Sequence, residues 1–286
     1  MRRHFAIGSA LLALASLAVA GCSGESSSAD SNNVSASCTP AHPGLTTIEK
    51  GVLTVAQYPY PPFSMYADGK LTGVEGDVLT KIAEMECLKI SIVPGLSAAM
   101  ITNVQTGRAD TTLGSWYRTK ARQEVVNLSA PIVTSPLALV SKNGADTVDA
   151  MLKMKIGTGT GMVALQDLQK LFGDELKAYP DTDAQMTDLK AGRIEGVVIG
   201  LGAAVGALHD HPIEGAKIMP IQPDPRIGST ASPGQTNFPT NKSNKALGEA
   251  IDDDIEKIRS SGGLKKIAEK YDYPVEATEP GTPNLL

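Results

Sequence analysis

Two stretches of this chain follow the same pattern, one at residues 102–110 and the other at residues 187–195. Each predicts a short amphipathic helix that ends at a glycine, Gly107 or Gly192, and an arginine, an apolar residue and an acid follow that glycine. An apolar run after each acid predicts a strand. A helix that ends at glycine and leads into a strand is half of an α/β unit. The repeat therefore predicts an α/β chain of two similar lobes, with a cleft where the strands end.

The first 21 residues are predicted to be a secretory signal peptide and no part of the fold. Arg2 and Arg3 give a positive start, residues 5–17 are apolar, and small residues precede Cys22. The apolar run is short for a membrane span. Because Cys22 directly follows Ala-Gly, the segment resembles the lipobox of bacterial lipoproteins, which implies cleavage before Cys22 and its diacylation. An ordinary signal peptide with a chance cysteine is the alternative.

Both ends of the exported chain are predicted to lack a fold of their own. Residues 22–47 are expected to be a flexible tether, because residues 23–37 are rich in serine and cannot bury enough apolar surface to become ordered. The tether would hold the folded part roughly 20 Å from a bilayer. Residues 276–286 contain Pro280 and Pro283 and are expected to be disordered.

The exported chain is acidic. The full sequence carries a net charge of −5, and removing the signal peptide takes away Arg2 and Arg3 but no acid. The sequence has no basic stripe that could neutralise phosphates, which excludes nucleic acid and anionic membrane surfaces as partners. The roughly 230 residues between Cys38 and the tail are enough for two small lobes.

Cys38 and Cys87 are the two cysteines besides Cys22. Export places them where disulfides persist, and two cysteines can make one bridge. Cys38 precedes the first predicted strand and Cys87 ends the first predicted helix, so a bridge would fasten the beginning of the folded chain to lobe 1. Closing this loop would stabilise the fold by about 4 kcal/mol in the chain-entropy model. Two buried free thiols are the alternative.

Two segments are predicted to carry the chain between the lobes. Residues 132–140 are mostly apolar, and residues 228–239 are rich in proline, glycine, serine and threonine. With these crossings, residues 48–132 and 238–275 form lobe 1, and residues 133–237 form lobe 2.

A candidate ligand site follows the strand of the first repeat copy, at residues 114–122. Ligands of open α/β sheets bind at the carboxyl ends of the strands. Glycine and serine at the start of this segment would let backbone N–H groups approach a ligand. Trp116 and Tyr117 offer flat apolar faces, and Arg122 offers a planar fork for a carboxylate. A surface ion pair for Arg122 and a core position for Trp116 are the alternative.

The distribution of aromatic residues favours a pocket. Most aromatic residues of the exported chain fall within residues 58–66 and 116–117, and each stretch follows a predicted strand of lobe 1. Aromatic side chains that only fill a core would be scattered more evenly. The two clusters are therefore expected to form the walls of one pocket.

Other motifs give weaker indications. The glycine turn at residues 157–161 lacks the Lys-Ser/Thr pair of a phosphate loop, and it could bind a carboxylate through N–H groups at a helix N-terminus or be a plain turn. His209 and His211 have no further ligand nearby, so no metal site is expected. Glu75 and Asp77 could form an acid pair, although negative charge at a helix start is ordinary. No catalytic residue and no cofactor are expected.

Five motifs occur in order along the chain. They are Tyr-Pro-Pro-Phe at 60–63, Asp-Gly-Lys-Leu-Thr-Gly-Val-Glu-Gly-Asp at 68–77, Gly-Arg-Ala-Asp at 107–110, Arg122 before Leu-Ser-Ala-Pro at 128–131, and Gly-Leu-Lys-Lys-Ile-Ala-Glu-Lys-Tyr at 263–271. Together they resemble the bacterial extracellular solute-binding proteins of family 3, the amino-acid-type receptors of ABC importers. The resemblance covers roughly residues 51–274.

The resemblance implies a periplasmic-binding-protein type II fold, in which two α/β lobes joined by two crossing strands close on a small ligand by hinge motion. It also implies a membrane permease as partner, a binding role without enzyme activity, and a location at the extracytoplasmic face of the cell membrane. A monomer is expected.

The resemblance assigns roles to single residues. Arg122 should clamp the ligand carboxylate, Tyr60 and Phe63 should line lobe 1, and Ser115 and Tyr117 should lie beside the ligand. The full set of expected ligand contacts is Gln57, Tyr60, Phe63, Ser97, Ser115, Trp116, Tyr117, Arg122, Gly161, Met162, Val163 and Gly200.

Four positions depart from the family pattern. Gln57 and Gly200 stand where members commonly have acids that hold an α-ammonium group, and Met162 and Val163 stand where hydroxyl residues are usual. The ligand is expected to carry a carboxylate, as an amino acid or a derivative, but the missing acids argue against an ordinary α-amino acid. Aromatic faces could hold a delocalised or alkylated cation, as in ectoine- or betaine-like solutes; an apolar acid is the alternative.

Two functions from other classes stay open. A dehydratase-like enzyme on the same fold would need a proton donor in the cleft, and Glu75 or Asp77 is the candidate. A ligand-sensing lipoprotein without a transport role would share every sequence feature of an importer's receptor.

Overall fold

Two five-stranded sheets and a two-stranded ribbon between them organise the chain. The structure is a computed structural model that describes residues 34–35 and 37–286. The predicted signal peptide at residues 1–21 and the lipidation candidate Cys22 lie outside these residues. No helix in the described part of the chain is both long and apolar enough to cross a bilayer.

The elements up to residue 127 are β1 Val52–Gln57, β2 Met65–Ala67, β3 Lys70–Thr72, α1 Val74–Met85, β4 Lys89–Pro94, α2 Ser97–Gln105, β5 Thr111–Leu113, α3 Lys120–Val125 and β6 Val126–Asn127. The next are β7 Thr134–Ser135, β8 Leu137–Ser141, α4 Val148–Met151, β9 Ile156–Gly159, α5 Leu165–Phe172, β10 Lys177–Tyr179, α6 Thr182–Lys190, β11 Gly196–Gly200, α7 Leu201–Asp210, β12 Lys217–Pro220, α8 Gly228–Ala231 and β13 Gly234–Gln235. The last are β14 Thr240–Asn241, α9 Lys245–Ser260 and α10 Gly263–Lys270.

The two large sheets share one strand arrangement. In lobe 1 the order is β4-β1-β5-β14-β6, where β1 is parallel to β4 and β5, and β14 is antiparallel to β5 and β6. In lobe 2 the order is β10-β9-β11-β8-β12, where β9 is parallel to β10 and β11, and β8 is antiparallel to β11 and β12. In each sheet, therefore, the first three strands of the order are parallel to one another. The fourth strand is antiparallel to both of its neighbours. The predicted fold of two similar α/β lobes is confirmed.

The two passages between the lobes pair with each other. β7 runs antiparallel to β13, with Ser135 opposite Gly234 and Thr134 opposite Gln235. β8 and β14 follow these passages and join the sheets of lobe 2 and lobe 1. A ribbon this short between two larger bodies suits a hinge. The residue limits of the two lobes stay a prediction.

The acid at the end of each repeat copy ties the helix–strand unit to the neighbouring strand of its lobe. The N–H of Thr54 donates to Asp110 Oδ2 at 2.8 Å, and the N–H of Asp110 donates to the carbonyl oxygen of Thr54 at 2.8 Å. In lobe 2, the N–H of Lys155 donates to Glu195 Oε2 at 2.9 Å, and the N–H of Glu195 donates to the carbonyl oxygen of Lys155 at 2.7 Å. The repeat is thus a structural device that each lobe uses in the same way.

Part of the predicted tether is fixed to lobe 1. Cys38 and Cys87 form the predicted disulfide, with their Cα atoms 5.8 Å apart. The N–H of Ala41 then donates to the carbonyl oxygen of Met85 at 2.9 Å. The last carbonyls of a helix have no partner within the helix, and α1 ends here. The flexibility expected over residues 22–47 is therefore not found in the part of this range that follows Cys38.

His42 follows this contact and lies among three carboxylates. Its Nδ1 is 2.6 Å from Glu86 Oε1, its Nε2 is 3.4 Å from Asp253 Oδ2, and its Nδ1 is 4.0 Å from Asp254 Oδ1. The hydrogen bond that His42 donates to Glu86 and the negative charge of Glu86 raise the pKa of His42. Lys257 Nζ lies 3.1 Å from Asp254 Oδ1 and adds a positive charge to the cluster.

The C-terminal segment, which composition predicts to be disordered, lies along the hinge ribbon. Gln235 of β13 donates through Nε2 to the carbonyl oxygens of Pro280 and Thr282, each at 2.9 Å. Its Oε1 accepts from the N–H of Asn284 at 2.8 Å. The disorder expected for residues 276–286 is not found. The amide side chain of Gln235 satisfies three backbone groups of this segment. Composition alone does not reveal such a contact with a distant part of the chain.

Replacing His42 with asparagine is expected to cost more stability in acid than in base. A raised folded-state pKa means that His42 stabilises the fold fully below its ordinary pKa of 6.5, and that this stabilisation is lost as the pH rises through the folded-state value. The measurement is the melting temperature of the wild type and of His42→Asn at about pH 6 and about pH 9. If His42→Asn lowers the melting temperature by the same amount at both pH values, the contact between His42 and the carboxylates is contradicted.

Candidate functional site

The carboxyl ends of four strands, two from the parallel part of each large sheet, meet at a cavity between the two lobes. β1 and β5 end there from lobe 1, and β9 and β11 end there from lobe 2. The lining residues are Tyr58, Tyr60, Ser97, Gly114, Ser115, Trp116, Tyr117 and Arg122 of lobe 1 and Gly159, Gly161, Met162, Val163, Pro180, Gln185 and Ile199 of lobe 2. Ligands of open α/β sheets bind in this position, and the cavity is therefore the candidate site.

Most of the predicted ligand contacts lie on the cavity wall. They are Tyr60, Ser97, Ser115, Trp116, Tyr117, Arg122, Gly161, Met162 and Val163. Gln57, Phe63 and Gly200 do not line it. The wall residues outside the predicted set are Tyr58, Gly114, Gly159, Pro180, Gln185 and Ile199. Direct contact of each residue with a ligand stays a prediction.

Arg122 is held in place at both ends. Its backbone N–H donates at 3.1 Å to Oγ1 of Thr119, the residue that caps the N-terminus of α3. Its Nη1 donates to the carbonyl oxygen of Tyr117 at 2.7 Å. The guanidinium carbon lies 5.2 Å from the centre of the Trp116 ring, a cation–π distance. The short helix and the indole ring therefore present the guanidinium at the cavity wall.

The described residues supply no carboxylate that pairs with Arg122. Burial lowers the pKa of Arg122 to about 10, and the group stays charged at neutral pH. A charge removed from water without a counter-ion is unfavourable, whereas a pair between a guanidinium and a carboxylate is among the strongest polar contacts in proteins. This environment suits a ligand carboxylate and does not match the surface ion pair that the sequence left open.

A buried carboxylate shapes the loop before Arg122. Gly114 and Ser115 have positive φ angles of 140° and 61°, and the N–H groups of both donate to Glu75 Oε2 at 2.9 Å. Burial raises the pKa of Glu75, and its Oε1 has no hydrogen-bond partner among the described residues. The expectation that these two N–H groups approach a ligand is wrong, because Glu75 takes both of them. Glu75 acts as a support for the loop.

Asp77 has a separate set of partners. Its Oδ2 accepts from Lys270 Nζ at 2.6 Å, and its Oδ1 accepts from the hydroxyl of Tyr271 at 3.0 Å. Glu75 instead faces the loop at residues 114–115. The two acids that flank Gly76 therefore serve different contacts, and they do not form the acid pair that the sequence allowed.

Aromatic rings form the wall on the lobe 1 side. The centres of the Tyr58 and Tyr60 rings are 5.8 Å apart, and those of Tyr58 and Trp116 are 6.3 Å apart. Trp116 Nε1 donates to Thr112 Oγ1 at 3.1 Å. The Tyr117 hydroxyl donates to the carbonyl oxygen of Ser135 in the hinge at 2.7 Å. The two aromatic clusters of the sequence thus meet at one cavity.

Gln57 and Phe63 lie behind the aromatic wall and are almost completely buried. Gln57 Nε2 donates to Ser64 Oγ at 2.9 Å. The Phe63 ring lies 6.2 Å from the Tyr60 ring and 5.1 Å from the Tyr273 ring, measured between ring centres. These residues support Tyr60 from behind, and the proposal that either touches a ligand has no support from their position.

Hydroxyl groups surround the position of Gly200, where an acid was expected. A Cβ atom there would lie 2.9 Å from Ser135 Oγ, 3.1 Å from the Tyr117 hydroxyl and 3.6 Å from the Tyr60 hydroxyl. A side chain at this position would therefore crowd the hydroxyl groups of Ser135 and Tyr117. The neighbouring hydroxyl groups thus occupy the room that an acidic side chain at position 200 would need.

Gln185 on α6 is one of the cavity residues that the sequence analysis missed. It is 3 % exposed, its Nε2 donates to the carbonyl oxygen of Asp181 at 3.2 Å, and its buried Oε1 has no partner among the described residues. The repeat contains a signal that could have found it. When the two copies are aligned, Gln185 takes the place of Met100, a buried residue of lobe 1. A polar residue in a core position usually has a specific partner.

Small residues let the lobes approach each other. In α7 of lobe 2, a Cβ atom on Gly206 would lie 2.9 Å from the backbone carbon of Pro61 in lobe 1, and one on Gly202 would lie 2.8 Å from the Phe63 ring. At the cavity, a Cβ atom on Gly161 would lie 3.0 Å from Ser97 Oγ. The described structure is therefore one in which the two lobes are in contact.

A family model matches residues 53–273 of the chain. The family is described as bacterial extracellular solute-binding proteins, family 3. The match spans both sheets and the hinge, and it begins in β1 and ends just after α10.

Two relatives and one solved structure illustrate the similarity. The L-cystine-binding protein TcyJ of Escherichia coli is 26% identical over 230 residues, which covers 78% of this chain and 83% of the relative. The histidine-binding periplasmic protein of Salmonella typhimurium is 24% identical over 230 residues, which covers 74% of this chain and 84% of the relative. An ancestral arginine-binding protein solved with glutamine has a TM-score of 0.68 and 26% identity, and it covers 78% of this chain and 98% of its own.

Replacing Gly206 with leucine is expected to hold the lobes apart, because the larger side chain would collide with the backbone of Pro61. Overpacking of this kind costs about 1–3 kcal/mol, which hinge opening relieves without unfolding either lobe. The measurement is the radius of gyration by small-angle X-ray scattering, which should increase. Val205→Leu on the exposed side of the same helix is the control. An unchanged radius in Gly206→Leu would show that this contact does not set the distance between the lobes.

Proposed function

Because the chain belongs to the bacterial extracellular solute-binding proteins of family 3, we propose that it captures a small carboxylate-bearing solute, an amino acid or a derivative, in the cavity between its lobes. The protein is a substrate-binding component of an ABC importer. In that role it delivers its solute to a membrane permease. The relatives bear names for the binding of cystine and histidine, which supports a solute of the amino-acid class.

The observation that carries the proposal is the environment of Arg122. Its guanidinium lies on the cavity wall, over the Trp116 ring and without a carboxylate partner among the described residues. A ligand carboxylate would supply the missing counter-charge at a point reached from both lobes. Binding would then favour the closed arrangement, because only that arrangement brings the lobe 2 residues to the same ligand.

The contacts across the cleft support capture by hinge closure. Ser97 lies next to Gly161, and the Tyr60 hydroxyl lies 3.9 Å from Met162 Sδ. These pairs join lobe 1 to lobe 2 at the cavity itself. A ligand held there would be enclosed by both lobes, and a permease would meet a closed shape that differs from the open one.

The family's members are binding proteins, and we propose no enzyme activity for this chain. A dehydratase would need a proton donor at the ligand. Glu75 accepts two N–H groups behind the loop, and Asp77 pairs with Lys270 and Tyr271. Both candidates of the sequence analysis therefore have structural partners.

We further propose that the protein is a monomer held at the extracytoplasmic face of the membrane by a lipid on Cys22. The support is the sequence around Cys22, and the tether at residues 22–37 would lead from the lipid to the disulfide of Cys38. The relatives of known location include periplasmic proteins, which agrees with export of this chain.

Replacing Arg122 with alanine is expected to weaken binding by at least about thirtyfold, since removing one member of a buried charge pair costs about 2–5 kcal/mol. The measurement is a thermal-shift screen of small carboxylic acids, because a ligand at a hundredfold excess over its Kd stabilises by about 2.7 kcal/mol. Arg108→Ala, which removes an exposed arginine of the same lobe, is the matched control. Loss of the unliganded fold in Arg122→Ala, or an unchanged ligand shift, would contradict the role of Arg122.

Replacing Cys22 with serine in the exported chain is expected to move the protein from the membrane fraction to the soluble fraction. The reason is that a serine cannot form the thioether to a diacylglycerol. The measurement is fractionation of cells that express either form, followed by immunoblotting. Retention of Cys22→Ser in the membrane fraction would contradict the lipid anchor.

A further inference from the structure

The cavity contains one formal charge. Among its described lining residues, Arg122 is the cation, and none is an aspartate, glutamate, histidine or lysine. A ligand carboxylate would neutralise Arg122. A second charge on the ligand would then have no counter-charge on the wall, and burying an unpaired charge is strongly unfavourable.

The acids nearest the cavity are engaged elsewhere. Glu75 accepts the N–H groups of the loop behind the wall. Asp181 and Asp183 line the neighbouring, wider cleft. Asp181 caps α6 by accepting the N–H of Ala184 at 2.8 Å, and Asp183 Oδ1 lies 2.9 Å from His211 Nε2. None of them stands in for the acid missing at the position of Gly200.

Gln185 lines the cavity with a neutral amide in place of an acid. Its Nε2 is fixed by the bond to the carbonyl oxygen of Asp181, and this bond leaves Oε1 as the free end of the amide. That oxygen is buried and has no partner among the described residues. Gly159 makes room for the amide, because a Cβ atom there would lie 3.3 Å from Gln185 Nε2. A buried acceptor without a partner is satisfied when a ligand brings a donor.

We propose that the ligand is a monocarboxylate whose second polar group is an uncharged hydrogen-bond donor, such as a hydroxy acid or an N-acyl amino acid, and that Gln185 selects it. This inference rests on the proposed function. Arg122 takes the carboxylate, and Gln185 Oε1 accepts from the hydroxyl or amide N–H. An ammonium group has three donors and a full charge, and the wall offers it no carboxylate. A neutral donor needs one acceptor, which Gln185 supplies.

The test uses acids that differ in one group. Leucine, 2-hydroxyisocaproate and N-acetyl-leucine form one matched set, and phenylalanine, phenyllactate and N-acetyl-phenylalanine form another. Isothermal titration calorimetry with the wild type should show that a neutral member of a set binds at least about tenfold more tightly than its amino acid. The hydroxyl and acetamido members also distinguish the two sources of a neutral donor. Tighter binding of the amino acids would overturn the inference.

Two variants of Gln185 test its role. Gln185→Leu should weaken the neutral acids by at least about tenfold, because the acceptor is lost. Gln185→Glu should shift preference toward the amino acids, because it supplies the missing negative charge. Gln169→Glu, which adds the same charge at an exposed site in α5 of the same lobe, is the matched control and should change neither preference. Melting temperatures of all three variants identify any loss of fold, and either Gln185 variant suffices if the other does not fold.

The outcomes distinguish failure of this inference from failure of the proposed function. If amino acids bind in a manner that depends on Arg122 but not on Gln185, this inference is overturned and the proposed function stands. If no member of either set binds the wild type or any variant, capture of such a carboxylate in this cavity is overturned together with the inference. A neutral acid that binds and loses affinity in Gln185→Leu supports both.

Discussion

The buried carboxylate of Glu75 is the contact on which the ligand-facing part of lobe 1 depends. Glu75 lies in the first turn of α1, and its side chain reaches the loop after β5, where it accepts the N–H groups of Gly114 and Ser115. A positive φ angle at a non-glycine residue such as Ser115 is costly for a loop without such a support. Trp116 and Arg122 follow this loop directly, so the direction in which they face the cavity is set by an acid that does not itself line it.

The repeat predicted the fold well because its role is local. Gly107 ends a helix and Asp110 ties the following strand to β1, and the same contacts recur at Gly192 and Glu195. Such contacts depend on residues close in sequence and on one neighbouring strand. The crossing segments and the disulfide were predictable for similar reasons, since turn composition and cysteine number limit the choices.

The candidate site was only partly predictable. Arg122 and the aromatic residues follow strands and could be placed at the strand ends, but the direction of a backbone N–H group could not. The role of Glu75 depends on a contact between segments about forty residues apart, and that of Gln185 depends on which buried polar atoms find no partner. Both are properties of packing in three dimensions. The C-terminal segment was misjudged because hydrogen bonds from Gln235 hold it, and composition carries no record of them.

The disulfide also decides where a pull on the N-terminal segment enters the folded protein. Force transmitted along the chain from a membrane would pass from Cys38 to Cys87, at the carboxyl end of α1, and from there into the sheet of lobe 1. A helix of 12 residues spans about 18 Å, so this point of attachment is about that far from Glu75. The hinge ribbon lies outside this path. A pull on the N-terminal segment would therefore load lobe 1 and leave the hinge free for any opening and closing of the two lobes.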